Sequence, residues 1–120
     1  MYEITVEDTF DAAHNLRGYP GACERLHGHT YRAQVFLRVE SLDEHGMAID
    51  FRRAKNELAA ILSGLDHEYL NDLPPFQEAN PSAENIARFL YEGIVKAFPG
   101  QVHRVTVWET PTSAVSYWQD

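Results

Sequence analysis

The sequence predicts an α+β sandwich, four antiparallel strands with two helices on one face. Three observations lead there. Segments alternating every second residue open and close the chain, at 2–10, 30–40, 102–109 and 114–118. Two segments with apolar residues at three-and-four spacing lie between them, beginning at Phe51 and near Ile86. The predicted order is strand, strand, helix, helix, strand, strand, and the 120 residues form one domain, 1–120.

Each element has its own signal. Tyr2, Ile4 and Val6 alternate with Glu3, Thr5 and Glu7, a half-buried strand whose end reaches His14. Residues 15–22 carry Gly18, Pro20 and Gly21 and read as loop. The run from Thr30 to Glu40 is rich in β-branched and aromatic types, and its odd positions, Tyr31, Ala33, Val35, Leu37 and Val39, form the side to be buried. A turn at 41–46 follows, where His45 reads as a solvated turn residue. Asp50 is the N-cap expected for the first helix, whose apolar face is Phe51, Ala54, Leu58, Ile61, Leu62 and Leu65, with Gly64 at its end. Residues 73–79, with Pro74 and Pro75, are irregular. Asn80, Pro81 and Ser82 open a second helix that buries Ile86, Phe89, Leu90, Ile94 and Phe98 and stops at Pro99-Gly100. A strand at 102–109, a turn at 111–113 and a short strand at 114–118 complete the chain. So small a sheet leaves its second face and its edges uncovered, which points to association between copies.

Composition narrows the function. The formal net charge of −8 argues against nucleic acid as a partner. It leaves room for a phosphorylated small molecule, which needs only a local cluster of cations. No apolar run approaches a membrane span, the opening residues do not read as a signal peptide, and the one cysteine excludes an internal disulfide. These features lead us to expect a cytoplasmic protein without a membrane partner.

The chemistry centres on Cys23-Glu24-Arg25-Leu26-His27-Gly28-His29. Two histidines one residue apart share a side of an extended backbone, here the side that continues into the buried run of the second strand. The end of one hairpin strand lies opposite the start of the next, so His14 should face the His27/His29 pair. Three imidazoles without an obvious fourth ligand make a zinc site with one open position, the mark of catalytic rather than structural zinc. Cys23 lies four residues before His27, in a polar loop beside Arg25, and reads as a base or nucleophile. Asp66 precedes His67 directly, so their pairing requires an irregular backbone. Glu109 closes a strand on its apolar parity, where a carboxylate suits the paired N–H groups of a heterocycle. Arg17 and Arg25 are candidates for phosphate contacts on charge and location.

Phe10–His14 (FDAAH), Cys23–His29 (C-x3-HGH), Ile49-Asp50-Phe51, Leu65–Asp72 (LDHEYLND), Asn80–Asn85 (NPSAEN) and Trp108–Thr110 (WET) are spread in order along the chain. The sequence resembles the 6-pyruvoyltetrahydropterin synthase / 6-carboxytetrahydropterin synthase family over essentially its whole length. The resemblance implies the tunnelling fold, in which strands of neighbouring subunits join into a barrel. It implies a homohexamer of two stacked trimers with active sites at subunit interfaces. It assigns His14, His27 and His29 to Zn2+, and Cys23, Asp66 and His67 to proton transfer. Glu109 would anchor the pterin ring, helped by Glu84. Ala83 departs from the pattern, standing where the family often has a hydroxyl residue, which touches a secondary contact.

The three residues between Cys23 and His27 resemble the carboxy-forming branch, which serves queuosine (7-deazaguanine) biosynthesis. That branch converts 7,8-dihydroneopterin triphosphate to 6-carboxy-5,6,7,8-tetrahydropterin, acetaldehyde and triphosphate, a carbon–carbon lyase reaction. Two alternatives stay open at this point. One is 6-pyruvoyltetrahydropterin synthesis on the same scaffold, and the other is a non-catalytic, zinc-dependent pterin-binding protein.

Overall fold

The computed structural model describes residues 1–120. Two long strands dominate it, β1 (Tyr2–His14) and β2 (His27–Val39), paired antiparallel in unbroken register from Tyr2↔Val39 to His14↔His27. Helix α1 (Phe51–Leu62) and a two-residue strand β3 (Glu68–Tyr69) follow. Helix α2 (Ala83–Ala97), β4 (Val102–Thr110) and β5 (Ser113–Tyr117) complete the chain. The sheet order is β3-β1-β2-β4-β5. The architecture is α+β as expected, with one correction. The sheet has five strands rather than four, because Glu68–Tyr69 pairs parallel to Ala12–Ala13. Two residues are too few to leave an alternating pattern in the sequence.

The helices begin where their caps predict. The Asp50 side chain accepts from the Arg52 N–H, and that of Ser82 from the Asn85 N–H, each satisfying a donor of the first turn. α1 stops at Leu62 and Ser63 caps it, so Leu65 is buried from the turn after the helix rather than from its face. The segment 73–79, expected to be irregular, begins with a short 3-10 turn at Pro74–Phe76, and another precedes it at Leu70–Asp72.

Even-numbered side chains of β1 (Val6, Phe10) and odd-numbered ones of β2 and β4 (Tyr31, Val35, Leu37, Val105, Val107) face the helices and are buried. Leu58 and Leu62 from α1 and Ile86, Leu90 and Ile94 from α2 complete that core. Each such burial contributes about 1.5–3 kcal/mol, which is what holds the helices to the sheet. No helix covers the other face. It carries ion pairs instead, Arg38 Nε to Glu3 Oε2 at 2.7 Å and Arg32 Nη1 to Glu7 Oε1 at 3.5 Å, and Arg104 lies over the Phe36 ring at 4.1 Å. The 53 × 27 × 27 Å envelope reflects the length of the β1–β2 ribbon. The functional residues gather at one end of it.

Candidate active site

At that end the apolar ladder of the helix-facing side gives way to imidazoles. His14 pairs with His27 and Ala12 with His29 across the strands, so period-two alternation puts all three rings on one side. Ala12 leaves room beside His29, and Phe10 stacks on Tyr31 at 4.8 Å to floor the cluster. The ligand nitrogens of His14, His27 and His29 lie within 4.8 Å of one another. His14 is fully buried, whereas His27 and His29 are half-buried.

The hydrogen bonds fix which nitrogens face inward. His14 Nδ1 lies 2.7 Å from the Pro81 carbonyl oxygen, and His27 Nδ1 lies 2.7 Å from that of Arg25. A carbonyl only accepts, so both Nδ1 atoms carry protons and both neutral rings turn the Nε2 lone pair inward. Those two Nε2 atoms face each other at 2.9 Å. His29 Nε2 is buried without a hydrogen-bond partner. Burial holds the His14 and His29 imidazoles below their ordinary value, which disfavours a proton as the bridging charge. Converging lone pairs and an orphaned buried nitrogen fit a metal cation, and an all-imidazole donor set suits zinc. The Tyr31 hydroxyl lies 3.2 Å from His14 Nδ1, and burial pushes its phenol well above the ordinary range, so it stays neutral.

Glu109 faces the same cluster from β4. Its Oε1 is 3.4 Å from His14 Nε2 and 3.5 Å from His29 Nε2. With Glu84, Leu16 and the start of β5 (113–115) it also lines a cleft of about 240 Å3 beside the N-terminus of α2. The strand parity read from the sequence thus holds for Glu109, which reaches both the imidazoles and a concave space. Glu84 is exposed at the rim of that cleft.

A second cluster lies at the β1 edge. Asp66 Oδ1 accepts from the Asp11 N–H at 2.9 Å, and the His67 N–H donates to the Asp11 carbonyl at 2.6 Å. His67 adopts a left-handed conformation (φ 60°), which costs a non-glycine residue about 1–2 kcal/mol. That conformation lets adjacent side chains meet: His67 Nδ1 is 3.0 Å from Asp66 Oδ2. The Asp11 N–H, and then the His67 ring, hold the Asp66 carboxyl below its ordinary value. The carboxylate therefore orients the ring through Nδ1 and leaves Nε2 available to solvent. Asp11 joins this cluster with its own carboxylate, hydrogen-bonded to Thr30 Oγ1 at 2.5 Å. Its parity on β1, opposite to that of His14, was the available signal for this role. An open cleft of about 550 Å3 borders Asp11, Gly28, Thr30, His67 and Tyr69.

The remaining candidates lie apart. Cys23 is exposed in a 3-10 turn at Ala22–Glu24 and belongs to neither cluster. Its carbonyl accepts from the Leu16 N–H at 2.8 Å, which ties its loop back toward β1. Arg25 contributes the carbonyl that orients His27, and its guanidinium has no partner within the chain. Arg17 is corrected outright: its guanidinium donates to the carbonyls of Phe76, Gln77 and Ala79 and to Asn80 Oδ1. Backbone oxygens, not phosphate, occupy it. The contacts of Pro81 and Tyr31 with His14 escaped the sequence reading because they join residues far apart in the chain.

The fold and the site define an α+β sheet domain carrying three convergent histidines, a set able to hold a metal ion, beside a carboxylate-lined cleft. The model of the 6-pyruvoyl tetrahydropterin synthase family matches residues 3–120, and the chain belongs to that family. It is 37% identical to a 6-carboxy-5,6,7,8-tetrahydropterin synthase of a Synechocystis species, over 98% of this chain and 94% of the relative. It is also 37% identical, over 88% of each chain, to the dihydroneopterin monophosphate aldolase of Pyrococcus furiosus. Among solved structures, the 6-pyruvoyl tetrahydropterin synthase of Caenorhabditis elegans superposes with a TM-score of 0.88 at 30% identity, covering 100% of this chain and 98% of that one.

Proposed function

We propose that the protein is a 6-carboxy-5,6,7,8-tetrahydropterin synthase acting in queuosine (7-deazaguanine) biosynthesis. It takes 7,8-dihydroneopterin triphosphate and water to 6-carboxytetrahydropterin, acetaldehyde and triphosphate. The observation that carries this reading is the convergence of three imidazole Nε2 atoms on one point beside Glu109. Full-length similarity to relatives bearing that synthase name supports it.

His14, His27 and His29 would hold Zn2+, which when bound supplies a Lewis acid for the oxygens of the substrate side chain. The Pro81 and Arg25 carbonyls keep the first two rings in the tautomer that ligation requires. Glu109, with Glu84 at the cleft rim, receives the N–H edge of the pterin. Asp66 orients His67 as a general acid or base, and the Cys23 thiolate is its counterpart in proton transfer. Arg25, unpaired within the chain, is available for phosphate. Cys23, on an exposed loop outside both clusters, lies apart from the Asp66–His67 pair within one protomer, which supports a site completed at a subunit interface. We propose a homohexamer of stacked trimers, whose barrel covers the open sheet face.

Zinc-loaded protein incubated with dihydroneopterin triphosphate, with products identified by mass spectrometry, tests the reading. A 6-carboxy product with acetaldehyde is expected. A pyruvoyl product would keep the site and overturn the assignment. Turnover of the monophosphate alone would place the chain with its aldolase relative. Replacing Cys23 by Ala should abolish turnover while leaving bound zinc unchanged, and full activity in that variant would remove Cys23 from the mechanism.

A further inference from the structure

The chain leaves β1 immediately after His14, and the backbone there has no strand partner. Two asparagine side chains supply one. Asn71 Oδ1 accepts from the Asn15 N–H and its Nδ2 donates to the Asn15 carbonyl, both at 3.0 Å. Two residues on, Asn80 repeats the pattern: Oδ1 accepts from the Arg17 N–H and Nδ2 donates to the Arg17 carbonyl, again at 3.0 Å. The Arg17 side chain closes the arrangement from the other direction. Nε donates to Asn80 Oδ1 at 3.2 Å, Nη1 to the Gln77 carbonyl at 2.8 Å, and Nη2 to the carbonyls of Ala79 (3.1 Å) and Phe76. Gln77, Glu78 and Ala79 are all exposed, so no apolar anchor holds that stretch between Phe76 and Pro81. Arg17 does. The residue after Asn80 is Pro81, and its carbonyl is the acceptor for His14 Nδ1.

We propose that Arg17 and Asn80 form a clasp that positions His14 for metal binding. The clasp rests on the metal site proposed above and adds to it residues outside the ligand set. Ser82 and α2 hold the segment on one side of Pro81; on the other, Asn85 Nδ2 donates to the Asn80 carbonyl at 2.8 Å and the clasp holds the Asn80 side chain. Together they fix where the Pro81 carbonyl points. Buried His14 has two tautomers to choose between. With the Pro81 carbonyl at 2.7 Å, the proton sits on Nδ1 and Nε2 is a ligand. Without it, Nδ1 keeps only the longer contact to the Tyr31 hydroxyl at 3.2 Å, while the Glu109 carboxylate, Oε1 at 3.4 Å, favours a proton on Nε2, and that tautomer cannot bind a metal through the atom that faces the cluster. The clasp therefore selects the ligating tautomer from a distance. Arg17 and Asn80 are positioning residues, since neither touches the site.

The test is metal affinity in folded protein. Zinc would be titrated against a chromogenic chelator, and Co2+ uptake followed by its visible absorption, in wild type, Arg17→Ala and Arg17→Lys. Melting curves would establish that each variant is folded. Arg17→Ala should weaken zinc binding about tenfold and alter the Co2+ spectrum, as expected when the group orienting a ligand is released. Arg17→Lys, whose ammonium can serve some of the same carbonyls, should fall between the two. Wild-type affinity and an unchanged Co2+ spectrum in folded Arg17→Ala or Arg17→Lys would overturn the clasp, even with a lowered melting temperature. Wild-type protein that takes up neither ion would overturn the metal site and the clasp with it, and this control separates the two failures.

Discussion

The three imidazoles differ in what they do besides turning a nitrogen toward the cluster. His14 is fully buried and satisfies the Pro81 carbonyl, so His14→Ala removes a ligand, opens a cavity and orphans an acceptor. It should abolish metal binding and cost the metal-free protein about 2 kcal/mol or more, measured by urea denaturation. His29 is half-buried and its Nε2 has no hydrogen-bond partner to lose. His29→Ala should abolish metal binding too, with metal-free stability within about 1 kcal/mol of wild type. Equal losses in the two variants would contradict this division. Asp66 carries a pH dependence. Its carboxyl is held below the ordinary 3.8 by the Asp11 N–H and by His67, so it contributes stability above that value. That contribution disappears as pH falls through the folded-state value. Between about pH 5 and about pH 3, wild type should therefore lose more stability than Asp66→Asn, compared by denaturation at each pH. Parallel pH profiles would show that the carboxylate gains nothing from its partners.

Strands and helices determine which residues can meet. Period two alone carries His14, His27, His29 and Glu109 to one side of the sheet, which is why the grouping of the histidines was legible in the sequence. The need for an irregular backbone at Asp66–His67 was legible as well. Its location was not, because the pair docks through Asp11 and a two-residue parallel strand, long-range contacts with no local pattern. Arg17 misled for a related reason. A cation in a loop near histidines suggests an anion, but the sequence does not display which carbonyls a fold leaves unpaired. The cap of α2 offers a test at this scale. Ser82→Ala removes the acceptor for the Asn85 N–H and should cost about 1 kcal/mol in urea denaturation. No change would mean that α2 is held by its packing against the sheet alone.

The whole molecule is a five-stranded sheet with helices on one side and an uncovered face of ion pairs on the other. Its site residues fall in two clusters and one exposed loop, an arrangement that association between copies would bring together. Light scattering should give a mass near six times the 13.7 kDa chain, and a monomer with full turnover would contradict a site shared between subunits. The proposed function requires carbon–carbon cleavage that depends on a metal held by the three histidines. The measurement is acetaldehyde released per triphosphate released from dihydroneopterin triphosphate, in zinc-loaded, chelator-stripped and zinc-restored protein. Equal amounts of both products, lost on stripping and regained with zinc, are predicted. Triphosphate release without acetaldehyde, or undiminished acetaldehyde from the stripped protein, would contradict it.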